Sequence, residues 1–204
     1  MTSRVSQLRG LREEFAAVDF AVYGLDGMWR GGRWLGAVAS STAKRVEYVC
    51  VGHGDQPSRR PAEPTPDRFV TVLTLPRRDR RNSGDGGFLE PTSPMVAAAL
   101  AGVGLLEDCW PWHITRELRT QWLQQQSEVA VGLACELDSA QWSPLSLPIE
   151  DEATVLRYRE SPYGWVLAGE APEGYVGLYG RGVSPYGLGL TRIEELTEYA
   201  DREV

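Results

Sequence analysis

Lysine is almost absent from this chain of 204 residues, in which only Lys44 among the 21 basic residues is a lysine. A Schiff base or a phosphate-loop lysine would therefore have to be Lys44. The neighbouring residues, Ser41 to Arg45, include none of the glycines of a phosphate loop. The sequence thus argues against an ATPase or nucleotide kinase of the phosphate-loop type.

The chain also has few cysteines and no long apolar run. Three cysteines are an odd number, which cannot form a closed set of disulfides and suits reduced thiols. The N-terminal residues have no apolar core of the signal-peptide kind, and the longest apolar run, 95–106, is too short to span a bilayer. We therefore expect a cytoplasmic protein without membrane association.

The charge balance is acidic, with a formal net charge of −7. This excess argues against non-specific binding to nucleic acid or anionic lipid, and it suits a basic partner. The arginine-rich stretch 77–81 is interrupted by Asp79, so we interpret it as a solvated loop rather than a nucleic-acid tail. We expect the partner to be another protein, and we do not expect nucleic acid as a ligand.

The last quarter of the chain contains three tetrads of the form X-Pro-X-Gly, at 161–164, 171–174 and 184–187. Proline at the second place and glycine at the fourth are typical of β-turns, because proline presets φ and glycine tolerates the exit conformation. Short apolar runs alternate with these turns. The pattern predicts an antiparallel meander of four strands, at 154–160, 164–169, 174–180 and 187–193.

Upstream of the meander, the sequence predicts both strands and helices. Strand-like runs occur at 20–25, 33–39, 45–52 and 69–75. Ser93 and Pro94 are typical of a helix start, and the apolar run 95–106 predicts a central helix. A second helix is predicted from 114, and we favour its continuation through 137 over a strand at 129–137.

The predicted fold class is therefore α+β, with antiparallel sheet(s), a central apolar helix and a C-terminal four-stranded meander. Residues 1–204 are predicted to form a single domain, with sub-lobes 1–90 and 91–204 as the alternative division. Whether the strands form one sheet or two is left open.

Strand alternation divides the meander into two faces. Val176 and Leu178 are predicted on one face, and Tyr175 and Tyr179 on the other. Tyrosine and arginine are enriched in binding hot spots. The alternative is that the tyrosines pack beneath a helix. The predicted binding surface consists of Arg157, Arg159, Tyr163, Tyr175, Tyr179 and Tyr186.

Each histidine follows a cysteine closely, which suggests a second interpretation. Cys50 precedes His53, and Cys109 precedes His113. If a turn at Gly52 and a bend in the second pair brought all four side chains together, they could hold zinc or serve a Cys/His-dependent enzyme. The alternative is simple burial, since free cysteine usually packs as a small apolar residue.

The sequence therefore favours a non-enzymatic cytoplasmic protein that binds another protein. An immunity or inhibitor protein is one form of this function, because the chain is small, acidic and poor in catalytic motifs. We assign no catalytic residue and no cofactor. The alternative is a zinc-binding protein or Cys/His-dependent enzyme that uses Cys50, His53, Cys109 and His113.

Overall fold

The computed structural model describes residues 15–16, 18–26, 33–42, 45–55, 68–77, 94–102, 116–137 and 141–194. The strands and helices within these ranges follow in chain order: β1 (Tyr23–Asp26), β2 (Arg33–Thr42), β3 (Arg45–Gly54), β4 (Phe69–Pro76), α1 (Pro94–Leu100), α2 (Arg116–Leu137), β5 (Ser143–Ile149), β6 (Glu152–Ser161), β7 (Gly164–Ala171), β8 (Gly174–Arg181) and β9 (Gly189–Arg192).

All these strands belong to one nine-stranded sheet with the order β1-β9-β5-β6-β7-β8-β4-β3-β2. Every pairing is antiparallel except that of β5 with β9, which is parallel and rests on Ile149 opposite Leu190. Strands from both predicted sub-lobes are neighbours, because β4 pairs with β8 and β1 pairs with β9. The strands therefore form one sheet, whereas the division of residues 1–204 into domains stays a prediction.

The described chain is mostly antiparallel sheet with few helices, which agrees with the coarse α+β prediction. The segment 129–137 is helical, as favoured. Helix α1 ends at Leu100, and residues 103–106 of the predicted central helix lie outside the described residues. In the described part of the chain, neither helix has the combination of length and apolar character needed to cross a bilayer.

The meander has four strands, but not the four that were predicted. Strands β6, β7 and β8 lie where expected, and the fourth strand is β5, which pairs with β6. The predicted last strand, 187–193, contains β9, which leaves the meander and pairs with β1. Prolines 144 and 148 obscured β5 in the sequence. They are tolerated because the described part of β5 before Ile149 is paired only with β6.

The sheet curls so that its edge strand β1 reaches β4, the seventh strand in the sheet order. The backbone N–H of Tyr23 in β1 donates a hydrogen bond of 3.0 Å to Thr74 Oγ1 in β4. The face inside the curl, called the inner face here, holds one apolar cluster. It includes Tyr23, Leu25, Val49, Val51, Val70, Val72, Leu147, Leu156, Leu167, Val176 and Leu178.

The opposite face, called the outer face, packs against the two helices. Thr71 Oγ1 donates a hydrogen bond of 2.6 Å to the carbonyl of Leu100, which ties β4 to the end of α1. Because side chains alternate along each strand, the same strands supply this second cluster. It includes Tyr48, Cys50, Phe69, Leu73, Leu75, Val96, Leu100, Ala130, Leu133, Leu137, Val166 and Tyr179.

Candidate functional site

Tyr179 does not lie on an open surface. Its side chain is on the outer face, where the helices cover the sheet, and only 1% of the residue is exposed. Its ring meets Phe69 edge to face, with centroids 5.4 Å apart. Burial raises the pKa of its phenol to about 12. The prediction of Tyr179 as a contact residue was therefore wrong, because the face opposite the leucines is a second core.

Two arginines of β6 beside that core, Arg157 and Arg159, hold residues 141–142 in place, and Arg157 also contacts Tyr175. Arg157 stacks on Trp142, with its Cζ 5.2 Å from the ring centroid, and its Nη2 donates to the Tyr175 hydroxyl over 3.4 Å. Arg159 Nη1 donates to the carbonyl of Gln141 over 3.1 Å. The two arginines thus fix residues 141–142 against β6, and Tyr175 is half-buried.

The two copies of Ser-Pro-Tyr-Gly share one local hydrogen bond, although the first copy closes the β6–β7 hairpin and the second lies in the loop before β9. The Tyr163 N–H donates to Ser161 Oγ over 3.0 Å, and the Tyr186 N–H donates to Ser184 Oγ over 3.2 Å. A serine that bonds the backbone two residues on stabilises a turn. The glycine of each tetrad has positive φ, 150° in the first copy and 86° in the second, which favours glycine.

Both turns lie at the same end of the sheet. Strand β7 begins opposite the end of β8, with Trp165 paired to Gly180, and Trp165 Nε1 donates to the carbonyl of Val183 in the loop before β9. Tyr158 at the end of β6 donates from its hydroxyl to Glu160 Oε1 over 2.9 Å. Burial, then Glu160, raises the pKa of Tyr158 to about 12, and nearby Tyr186 adds to the shift.

We call Tyr158, Tyr163 and Tyr186 the tyrosine cluster. Tyr158 and Tyr186 lie near each other, and the Tyr163 ring lies against α2 at the same end of the sheet. Tyr163 is 39% exposed and Tyr186 is 69% exposed, whereas Tyr158 is partly buried. Tyr158 was absent from the predicted surface because it alternates with the arginines and falls on the inner face. Its position three residues before the first tetrad is the sequence feature that could have identified it.

Tyr163 is held on two sides. Its carbonyl accepts a hydrogen bond of 2.8 Å from the Tyr179 hydroxyl, so the buried tyrosine supports the exposed one. Its ring lies directly against Gly132 of α2, where any Cβ would collide with it. The turn and the sheet therefore hold the Tyr163 backbone, and the helix lies against its ring.

Cys50 and His53 point to opposite faces of β3. Strand β3 pairs with β4 in continuous register from Val49 to Gly54, so no turn occurs at Gly52. Cys50 is on the outer face, and its Sγ donates to the carbonyl of Ala99 over 3.3 Å. Burial raises the pKa of its thiol and lowers the pKa of the His53 imidazole to about 4. The structure does not bring this pair together.

The second predicted pair, Cys109 and His113, lies outside the described residues. In the described ranges, no group of three or more histidine, cysteine, aspartate or glutamate side chains could hold a metal ion. Cys50 and His53 also lack the convergence that zinc requires of its ligands.

No protein-family model, curated protein or solved structure matches this chain. Functional inference therefore depends on the residues themselves. The tyrosine cluster is the feature that joins a repeated sequence motif to exposed aromatic side chains at one end of the sheet.

Proposed function

We propose that this protein is a non-enzymatic binding protein that recognises another protein through the tyrosine cluster. One observation carries the proposal. Four large apolar side chains are exposed in the described part of the chain, and two of them, Tyr163 and Tyr186, come from the repeated tetrad and lie at one end of the sheet. The other two, Val131 and Val155, belong to different elements.

Tyrosines on restrained turns favour binding through entropy as well as through contact area. A tyrosine ring supplies a large contact surface with a polar tip and has few rotatable bonds. The serine hydrogen bond and the proline restrict the backbone of each tetrad before any partner arrives. Binding therefore loses less conformational freedom than it would with rings on unrestrained loops.

The proposed partner is basic. The chain has a net charge of −7, and Glu160 places a carboxylate within the tyrosine cluster. Complementary charge raises association rates and excludes like-charged competitors. A cytoplasmic immunity or inhibitor protein that covers a basic surface is the specific form of this proposal. Cys50 and His53 lie on opposite faces of β3, so this pair does not support the zinc or Cys/His-enzyme alternative.

Partner capture by the tagged full chain tests the proposal. Tyr186→Ala removes the most exposed ring, and Val131→Ala is the matched control because 68% of Val131 and 69% of Tyr186 are exposed. We expect a protein retained from native-cell extract by the wild type and by Val131→Ala to be lost with Tyr186→Ala. Equal retention by both variants would show that the tyrosine cluster is not the contact surface.

A further inference from the structure

An exposed carboxylate lies beside two rings of the tyrosine cluster. Tyr158 and Glu160 are two residues apart on β6, so they project from the same face of the strand, and the Tyr158 hydroxyl donates to Glu160 Oε1 over 2.9 Å. Within the described ranges, this phenol is the only group that bonds or ion-pairs with the Glu160 side chain. A carboxylate accepts several hydrogen bonds, so Glu160 can accept more from a ligand.

Two arginines at the same end of the sheet are directed away from Glu160. Arg159 is next to Glu160 on β6 and therefore projects from the opposite face, where its Nη1 donates to the carbonyl of Gln141. Arg181 ends β8 two residues after Tyr179, so it shares the outer face with Tyr179. Strand alternation therefore keeps both cations off the face that carries the Glu160 carboxylate.

The ring of Tyr186 is available beside this carboxylate. Burial and Glu160 raise the pKa of Tyr158, and Tyr186 is close enough to add to the rise. The loop that carries Tyr186 is anchored on both sides, because the Val183 carbonyl accepts a hydrogen bond from Trp165 and Leu188 is buried in the inner-face cluster. The Tyr186 ring is nevertheless exposed, so a ligand can reach it with little further ordering of the loop.

We propose that Glu160, Tyr158 and Tyr186 form a site for one arginine side chain of the basic partner. The guanidinium donates to the Glu160 carboxylate and stacks on the Tyr186 ring. Arginine suits both interactions better than lysine, because its guanidinium is planar and more weakly hydrated than an ammonium group. This inference rests on the proposed function, since it names the group that the tyrosine cluster recognises. Tyr163 is outside the site, because its ring lies against α2.

A tripeptide of arginine between two glycines, blocked at both ends, tests the site without the natural partner. Amide chemical shifts of the full chain, followed by NMR at low salt, give the dissociation constant. We expect the shifts to concentrate at Tyr158, Glu160 and Tyr186. The matching citrulline peptide keeps the shape and loses the charge, so its dissociation constant should be about tenfold higher or more. The lysine peptide should also bind more weakly than the arginine peptide.

Four variants assign the binding to these side chains. Glu160→Gln should raise the dissociation constant of the arginine peptide by about tenfold, and Tyr186→Leu should raise it by about two- to fivefold. Tyr186→Phe keeps the ring and should bind as the wild type does. Glu170→Gln is the matched control, since Glu170 is also an exposed strand residue but lies near the other end of β7. Equal binding of the citrulline peptide, or equal effects of the two glutamine variants, overturns the proposal.

Partner capture separates this inference from the proposed function. If Tyr186→Ala loses the partner and Glu160→Gln retains it fully, the tyrosine cluster binds without an arginine in this site, so the arginine proposal fails and the proposed function stands. If Tyr186→Ala retains the partner, the proposed function fails, and the peptide titration still decides whether the arginine site exists.

Discussion

At the scale of single residues, the fold controls the ionisation of His53 by burying it. Its side chain is fully buried, and burial lowers the pKa of the imidazole from 6.5 to about 4. The folded protein therefore holds His53 neutral over a pH range in which the unfolded chain binds a proton. Protons then favour the unfolded state.

This difference in the His53 pKa between the folded and unfolded protein predicts a loss of stability in mild acid. The contribution of neutral His53 is fully present above pH 6.5 and is lost as the pH falls towards the folded-state pKa of about 4. Between about pH 7 and about pH 5 the free energy of unfolding should fall by about 2 kcal/mol from this group. Urea unfolding at the two pH values measures it.

The two histidines provide their own control. His53→Gln should remove most of the difference in stability between the two pH values, whereas His113→Gln should retain it. If His53→Gln kept the full pH dependence, another group would be responsible for it.

The tyrosines of β8 show how much of a residue's position strand alternation alone can predict. Alternation correctly separated Tyr175 and Tyr179 from Val176 and Leu178, because the period of a strand is local geometry. It could not tell which face is open, since that depends on helices distant in the sequence. Both faces are cores here, and among the tyrosines that the structure describes only Tyr163 and Tyr186, in the turns, are exposed.

At the scale of elements, features set by neighbouring residues were predicted, and features set by distant residues were not. The X-Pro-X-Gly tetrads located the β6–β7 and β7–β8 hairpins because proline and glycine act within four residues. The pairing of β9 with β1 joins residues far apart in sequence, and nothing near residue 190 encodes it. Local turn chemistry therefore predicts hairpins better than it predicts strand order.

The contact between α2 and the first tetrad gives an element-scale prediction. Gly132→Ala in a helix interior should normally stabilise by about 1 kcal/mol. The new Cβ would collide with the Tyr163 ring, so this gain should be absent in the wild-type background. In a Tyr163→Ala background the ring is gone, and the full gain should appear. Thermal unfolding of the four proteins gives the coupling free energy.

Ser127→Ala supplies the comparison for this cycle. Ser127 is exposed on the same helix and bonds its hydroxyl to the Leu123 carbonyl, away from Tyr163. Its effect on stability should be equal in both backgrounds. If the effects of Gly132→Ala and Tyr163→Ala on stability were also additive, the helix would not restrain the ring.

At the scale of the whole molecule, curling of the sheet encloses the inner core, whereas the two helices cover the outer one. Strand β1 is the first strand in the sequence, yet it packs inside the curl with residues of the distant strands β4, β7 and β8. The sequence pattern alone shows only that these strands are apolar on alternate positions. The closure includes a hydrogen bond between residues 51 positions apart, Tyr23 and Thr74.

That closure gives the last prediction. Thr74→Val keeps the shape of the side chain and removes the acceptor of the buried Tyr23 N–H, so the free energy of unfolding should fall by about 1–3 kcal/mol. Amide exchange in β1 should accelerate more than in β7, since the lost bond holds only the first strand. Thr191→Val makes the same chemical change in a half-buried side chain of β9 and should alter stability by less than about 0.5 kcal/mol. Equal losses in the two variants would mean that the Tyr23–Thr74 bond does not hold the sheet closed.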